Sequence, residues 1–195
     1  MEITSPKLEF TVCQSNDCAV PVIIVAAGTS SRMNGADKQF LEIAGMPVIA
    51  RTLLNFERSS YISRIILVTR EESVNKMQLI ADKYFISKLT DIVEGGDTRG
   101  QSVFKGISRL KSSENKVLIS DGARPFVTDR MIADCVNALK EHDGCLCAVK
   151  VSDTVKDVQN GIVKGTLDRS NLYLAQTPQG ITVSLYKKAA ESVVV

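Results

Sequence analysis

Short runs of apolar residues recur along this chain, each continuous rather than alternating, and amphipathic stretches of helical period separate them. The runs are "PVIIVAA" (21–27), "SRIILVTR" (63–70), "TDIVEGGD" (90–97) and "KVLIS" (116–120). Between them, "PVIARTLLNFERSS" (47–60) sets Val48, Ile49, Thr52, Leu53 and Phe56 on one helical stripe, with Pro47 suited to the first turn. Further helices are expected over 71–85, 99–110 and 128–141, the last opening on a Thr-Asp cap signal. A strand that is apolar on both faces needs cover on both faces. The pattern therefore predicts an α/β fold, a mostly parallel sheet with helices on either side. Ligands of such sheets bind outside the carboxyl ends of the strands. Those ends carry "AAGTSSRM", "EGGDTRGQS" and "SDGARPF", which makes these three loops the candidate site.

Composition narrows the chemistry. The 195 residues carry 24 Lys and Arg against 22 Asp and Glu, a net charge of +2. That balance does not suit a general nucleic-acid binder, so any anion must be held by a local cluster. No apolar run approaches the roughly 18 residues that span a bilayer. The first twenty residues contain Glu2, Glu9 and Asp17 and no apolar core, unlike a secretory signal, and are expected to be a disordered lead. Five cysteines without a CxxC read as reduced thiols of a cytoplasmic protein. Cys145 and Cys147 fall on the same face of a strand. His142 is the single histidine, so a histidine base or zinc cluster is not expected. The chemistry falls to lysine, arginine and aspartate.

After Val151 the pattern changes. Asn160-Gly161 stands between two alternating segments, a hairpin signal. The apolar residues of this arm (152–170) are sparse, and an isolated hairpin is marginal in water. Docking on a second subunit would supply what it lacks. A helix over about 183–192 follows.

The loop after the first strand presents Gly28, Ser30 and Ser31, whose backbone N–H groups can turn toward an anion. Arg32 offers a planar fork of donors and Lys38 a compact positive charge, a set that suits a triphosphate. Two solvated surface charges are the alternative reading. The loop matches neither GxGxxG, since position 30 is serine, nor GxxxxGK[ST]. Asp121, ending a buried strand, is either a turn cap or a carboxylate that orients substrate hydroxyls or a metal ion. Arg124 either locks that turn through Asp121 or contacts substrate.

With these segments in view, the chain resembles the 2-C-methyl-D-erythritol 4-phosphate cytidylyltransferase family over about residues 21–190. "AAGTSSRM" with "DKQFLEIAGMPV" is similar to its nucleotide loop, and "GGDTRGQSV" to its cytosine-reading segment. "SDGARPFV" is similar to its substrate turn, and "VSDTVK…TLDRSNLYLAQTPQ" to its projecting arm. The resemblance implies a Rossmann-like nucleotidyltransferase fold and transfer of a cytidylyl group from CTP to methylerythritol phosphate, releasing pyrophosphate. Carried over by position, Arg32, Lys38 and Arg169 would be catalytic. Ala26, Ala27, Gly28, Gly96, Asp97 and Ser102 would hold the nucleotide, with Gly95 and Gly96 letting backbone approach the pyrimidine. Asp121, Thr154 and Arg124 would meet the sugar-alcohol phosphate. The resemblance also implies Mg²⁺ bridging the CTP phosphates and a homodimer in which each arm, with Thr154 and Arg169, serves the partner's site.

Three departures accompany the resemblance. Ser30 stands where glycine is frequent in the family, and Ser120 where histidine is frequent, a packing change. The chain is also expected to lack a C-terminal segment with an Asn-x-Lys lysine. Two rival readings follow: a ribitol-5-phosphate cytidylyltransferase, which shares the arm and most motifs, and a non-catalytic nucleotide-binding relative.

Overall fold

In a computed structural model, residues 19–28 and 37–193 are described, the side chains of 191–193 excepted. Strand β1 (Val20–Ala26) leads into a two-strand ribbon, β2 (Glu42–Ile43) and β3 (Met46–Pro47), and helix α1 (Val48–Arg58). Then come β4 (Ile62–Thr69), α2 (Val74–Lys83), β5 (Leu89–Glu94), α3 (Arg99–Ile107), β6 (Lys116–Asp121) and α4 (Asp129–Glu141). The chain continues through β7 (Gly144–Lys150), the hairpin β8 (Lys156–Gln159) and β9 (Ile162–Thr166), β10 (Tyr173–Thr182) and α5 (Val183–Val193).

Six strands form one sheet in the order β5-β4-β1-β6-β10-β7. β1 pairs in parallel with β4 and β6, and β4 with β5, while β10 runs antiparallel between β6 and β7. The mostly parallel α/β sheet expected from the apolar runs is therefore present. Alternation along β1 splits the core. Val22 and Ile24 face a cluster with Phe56 of α1, Met77 of α2 and Ile132 of α4. Ile23 faces the other side, with Val103 and Ile107 of α3 and Val183 of α5. Full burial on both faces is what continuous apolar strands require.

Two expectations shift. Val20, placed in the lead, opens β1, and its N–H donates to the Tyr61 carbonyl at 3.0 Å; the rest of the expected disordered lead, residues 1–18, lies outside the described residues. The segment from Tyr173 is not an extension of the arm but a ten-residue strand of the main sheet. Its polar content hid this, since only Thr177, Pro178 and Gly180 of β10 are buried. The hairpin itself forms as expected. Asn160 and Gly161 both take positive φ, 52° and 77°, the geometry of a type I′ turn. β8 and β9 are exposed along their whole length, Val158, Ile162 and Val163 included. The arm leaves the sheet where β7 ends.

Candidate active site

The loops after β5 and β6, at the carboxyl edge of the sheet, are tied to neighbouring strands. Gly122 N–H donates to the Val25 carbonyl at 2.8 Å and Gly95 N–H to the Thr69 carbonyl at 2.7 Å, so the turns after β6 and β5 fold over β1 and β4. Thr52 of α1 donates to the Gly122 carbonyl at 2.9 Å, which fixes the β6 turn from below. Ser120 is fully buried, with its hydroxyl 3.2 Å from that of Thr177, consistent with a packing role. α3 begins with a capping box: Thr98 accepts from Gln101 N–H, and Gln101 Oε1 accepts from Thr98 N–H, both at 3.1 Å.

These loops enclose a cavity of about 840 Å³. The expected residues Ala27, Gly28, Lys38, Gly96, Asp97, Ser102, Asp121 and Arg124 all line it. Ala26 does not; it is buried behind the rim, and its carbonyl accepts from the Gln39 side chain. Arg32, with Ser30 and Ser31, lies outside the described residues. Thr154 and Arg169 are exposed on the arm and do not line the cavity of their own chain. Asp168 accepts from the N–H and hydroxyl of Ser170 at 2.9 and 2.8 Å, and the Arg169 guanidinium donates to the Ser152 carbonyl. The arginine is thus held at the base of the hairpin.

Arg70, Arg99 and Gln39 also line the cavity and were not singled out from sequence. For Arg70 the signal was available: it follows β4 directly, at a carboxyl end like the other three, but its loop has no glycine. Among the described residues, with Lys38 and Arg124, the lining holds four cations against the acids Asp97 and Asp121. Asp121 is bracketed. Arg99 reaches its Oδ1 through Nε at 3.3 Å and Nη2 at 3.1 Å, and Arg124 Nε reaches Oδ2 at 3.2 Å. Arg124 Nη1 donates onward to Gln176. Arg124 therefore locks the turn through Asp121, as one of its two readings expected, and it also lines the cavity. Lys38 is exposed and, among the described residues, has no hydrogen-bond or ion-pair partner. Among the described residues nothing neutralises its charge.

The packed fold adds a second reason for the two glycines. A Cβ on Gly95 would lie 2.4 Å from Ala27 Cβ and 3.0 Å from Ser102 Oγ, and one on Gly96 would lie 2.4 Å from Gln101 Cβ. Crowding by the protein's own loops already demands glycine at both positions. Ser102 Oγ in turn accepts from Gly96 N–H at 3.1 Å, and Lys105 Nζ donates to the Gly95 carbonyl at 2.7 Å. The segment is pinned from both sides.

A profile of 2-C-methyl-D-erythritol 4-phosphate cytidylyltransferases matches residues 20–193. The chain belongs to that family. The family member of Halalkalibacterium halodurans is 41% identical over 169 residues, 86% of this chain and 74% of the relative. That of Clostridium novyi is 41% identical over 182 residues, covering 90% and 77%. Among solved structures, the 4-diphosphocytidyl-2C-methyl-D-erythritol synthase of Anaerococcus prevotii superposes with a TM-score of 0.77 at 31% identity, covering 90% of this chain and 77% of that one. The cytidylyltransferase of Francisella tularensis gives 0.71 at 27% identity, with coverage of 90% and 80%. Family membership accounts for the order of the four motifs as well as for the sheet.

Proposed function

We propose that this chain transfers the cytidylyl group of CTP to 2-C-methyl-D-erythritol 4-phosphate, giving the 4-diphosphocytidyl product and pyrophosphate for isoprenoid synthesis. The observation that carries the reading is the cation-lined cavity at the carboxyl edge of the sheet in a member of this family. An oxygen of the substrate phosphate attacks the α-phosphorus of CTP, and the bond to the β-phosphate bridging oxygen breaks. That phosphate is already ionised near neutral pH, so the step needs no general base. Its obstacle is charge, an anion approaching a polyanion.

Lys38 and Arg32 meet the charge that accumulates on the reacting phosphate. One preorganised donor of this kind is worth about 3–4 kcal/mol, or 10²–10³ in rate. Ala27, Gly28, Gly96, Asp97 and Ser102 shape the nucleotide side, with Ala26 packed behind them, while Asp121 and Arg124 face the second substrate. Among the described residues no group of three or more His, Cys, Asp or Glu could hold a metal ion. One carboxylate nevertheless fits Mg²⁺, which takes one or two of them and completes its shell with substrate phosphates and water: Asp97 lines the cavity and has no partner among the described residues, whereas both oxygens of Asp121 are held by Arg99 and Arg124. The ion would neutralise phosphate charge.

The arm completes the site in a homodimer, with Thr154 and Arg169 reaching the partner's cavity. Its exposed Val158, Ile162 and Val163 support this, as does the exposure of Leu146 and Val149 on the edge strand β7. A cytoplasmic setting agrees with Cys135, Cys145 and Cys147, which are free thiols although two of their sulfurs lie 3.6 Å apart. Among the described residues no helix is long and apolar enough to cross a membrane.

Pyrophosphate release is the test, measured with CTP, UTP, ATP or GTP against methylerythritol phosphate or ribitol 5-phosphate. CTP with methylerythritol phosphate should be turned over best. A preference for ribitol 5-phosphate would reassign the second substrate, and release with neither would make the chain a nucleotide-binding relative.

A further inference from the structure

The lysine assigned to the reacting phosphate stands on a short turn that is itself stapled at both flanks. Asp37 carbonyl accepts from Phe40 N–H at 3.0 Å, closing a β-turn with Lys38 at its second position. Immediately before Lys38, the Asp37 carboxylate accepts from the Arg70 guanidinium at the end of β4. The same carboxylate accepts from Gln39 N–H at 3.2 Å, across Lys38. Immediately after Lys38, Gln39 is 3% exposed; its side-chain amide donates to the Ala26 carbonyl at the end of β1, and its own carbonyl accepts from Ile49 N–H at 3.0 Å. The turn is therefore fastened to two adjacent strand ends, and only Lys38 between them is exposed and unpaired among the described residues.

We propose that Arg70, acting through Asp37, is a positioning residue that sets where the Lys38 ammonium stands in the cavity, with Gln39 as the second anchor. The inference rests on the reading of Lys38 as the cation of the transferred phosphate. A lysine stem has four carbons and many rotamers, so its head is placed no better than its backbone. Arg70 supplies more than a charge here: its fork binds Asp37 while Nε lies 3.3 Å from Glu72, which orients the plane of the guanidinium, so a lysine could replace it only in part. Because Arg70 also lines the cavity, the rival role is direct contact with the triphosphate. The two roles differ in how Arg70 and Lys38 combine. A positioning arginine has nothing left to position once Lys38 is gone, whereas a direct contact keeps its own share.

The experiment compares Arg70→Met, Asp37→Asn, Lys38→Met and the Arg70→Met/Lys38→Met pair by steady-state pyrophosphate release, with thermal midpoints recorded for each. Arg70→Met and Asp37→Asn should each lower kcat by about tenfold to a hundredfold, the scale of a misplaced reacting group. The KM for CTP should move less than kcat, and Arg70→Lys should restore part of the rate. In the Lys38→Met background, Arg70→Met should have no further effect. An additional loss in that background, or unchanged kcat in Arg70→Met, overturns the positioning role while leaving the enzyme's function intact. Full activity of Lys38→Met overturns it as well. A wild-type chain that releases no pyrophosphate from any substrate pair removes the functional reading and the positioning role with it.

Discussion

Arg64 offers a sharp test of how the sheet is held below its active edge. It sits in β4 at 7% exposure, with all three nitrogens of its guanidinium engaged. Nε and Nη2 take the two oxygens of Glu114 at 2.8 and 2.7 Å, Nη1 takes Asp91 at 2.9 Å and Thr90 at 3.0 Å, and Nη2 also reaches the Arg109 carbonyl at 2.8 Å. One side chain thus joins β4, β5 and the connection before β6. Arg64→Met keeps the stem but strands two carboxylates and a carbonyl. Breaking a buried pair this way costs about 3–5 kcal/mol. Side-chain exposures of 15% for Glu114 and 30% for Asp91 let water recover part of the loss, so about 3 kcal/mol is expected. For a chain of this size that is a fall of roughly 6–12 °C in thermal midpoint. The bond from Arg64 holds the Glu114 carboxyl below the ordinary glutamate value, helped by the Lys111 N–H and opposed by burial. A depressed folded-state value stabilises above the unfolded pKa, and that contribution disappears as pH falls through the folded one. The gap between wild type and Arg64→Met should therefore be full at pH 7 and shrink below about pH 4. The chain has no tryptophan, so urea unfolding followed by far-UV circular dichroism is the assay. A difference below about 1 kcal/mol at pH 7, the scale of an exposed pair, would refute the network. So would a gap that does not change with pH.

Four further outcomes follow from the site. Lys38→Met should lower kcat by about 10²-fold or more with a smaller change in the KM for CTP, and a pure KM effect would make Lys38 a uniform binding contact. Gly95→Ala must displace Ala27 or Ser102, so it should cost about 1–3 kcal/mol of stability and weaken CTP binding in calorimetry; wild-type values for both would show that the loop yields freely. Asp121→Asn should reduce kcat more than apparent CTP affinity, whereas a raised KM at constant kcat would make the carboxylate an ordinary substrate contact. Mixing Arg169→Ala with Lys38→Met subunits should regain about one intact site per heterodimer if arms are exchanged; heterodimers no more active than the parents would mean each arm serves its own subunit.

The sheet was legible because burial on both faces leaves a continuous apolar signature. Val22 to Ile24 and Ile65 to Val68 are fully buried and read as strands without ambiguity. β10 was not legible: it mixes Gln176, Thr177 and Gln179 with a Pro in mid-strand, and its place depends on antiparallel pairing with β6 that no local pattern announces. At the site, the loops rich in glycine were found and the loop after β4 was passed over. Arg70 acts through a partner thirty-three residues away in sequence, a relation that periodicity does not carry. Gly95 and Gly96 were recognised as necessary, but the neighbours that make them so, Ala27 and Gln101, come from other elements and become visible only in the packed fold.

Asp121 is the residue whose presence most needs explaining, since an acid in an anion pocket subtracts from the attraction that fills it. Its geometry shows the return. Each of its oxygens takes a bond from a different arginine, so two long side chains on α3 and the β6 turn are held against one carboxylate. Arg99 spends Nε and Nη2 in this way, and Arg124 spends Nε there and Nη1 on Gln176. Among the described residues, Arg99 Nη1 and Arg124 Nη2 keep their protons unclaimed, and both residues line the cavity. A free arginine would bind phosphate in many poses, most of them useless for in-line attack. An arginine with half its fork already occupied presents the other half in few. The pocket gives up one unit of attraction and gains orientation of two donors. In the proposed reaction, which uses no general base and depends on holding two polyanions in one geometry, that exchange would favour turnover over tight binding.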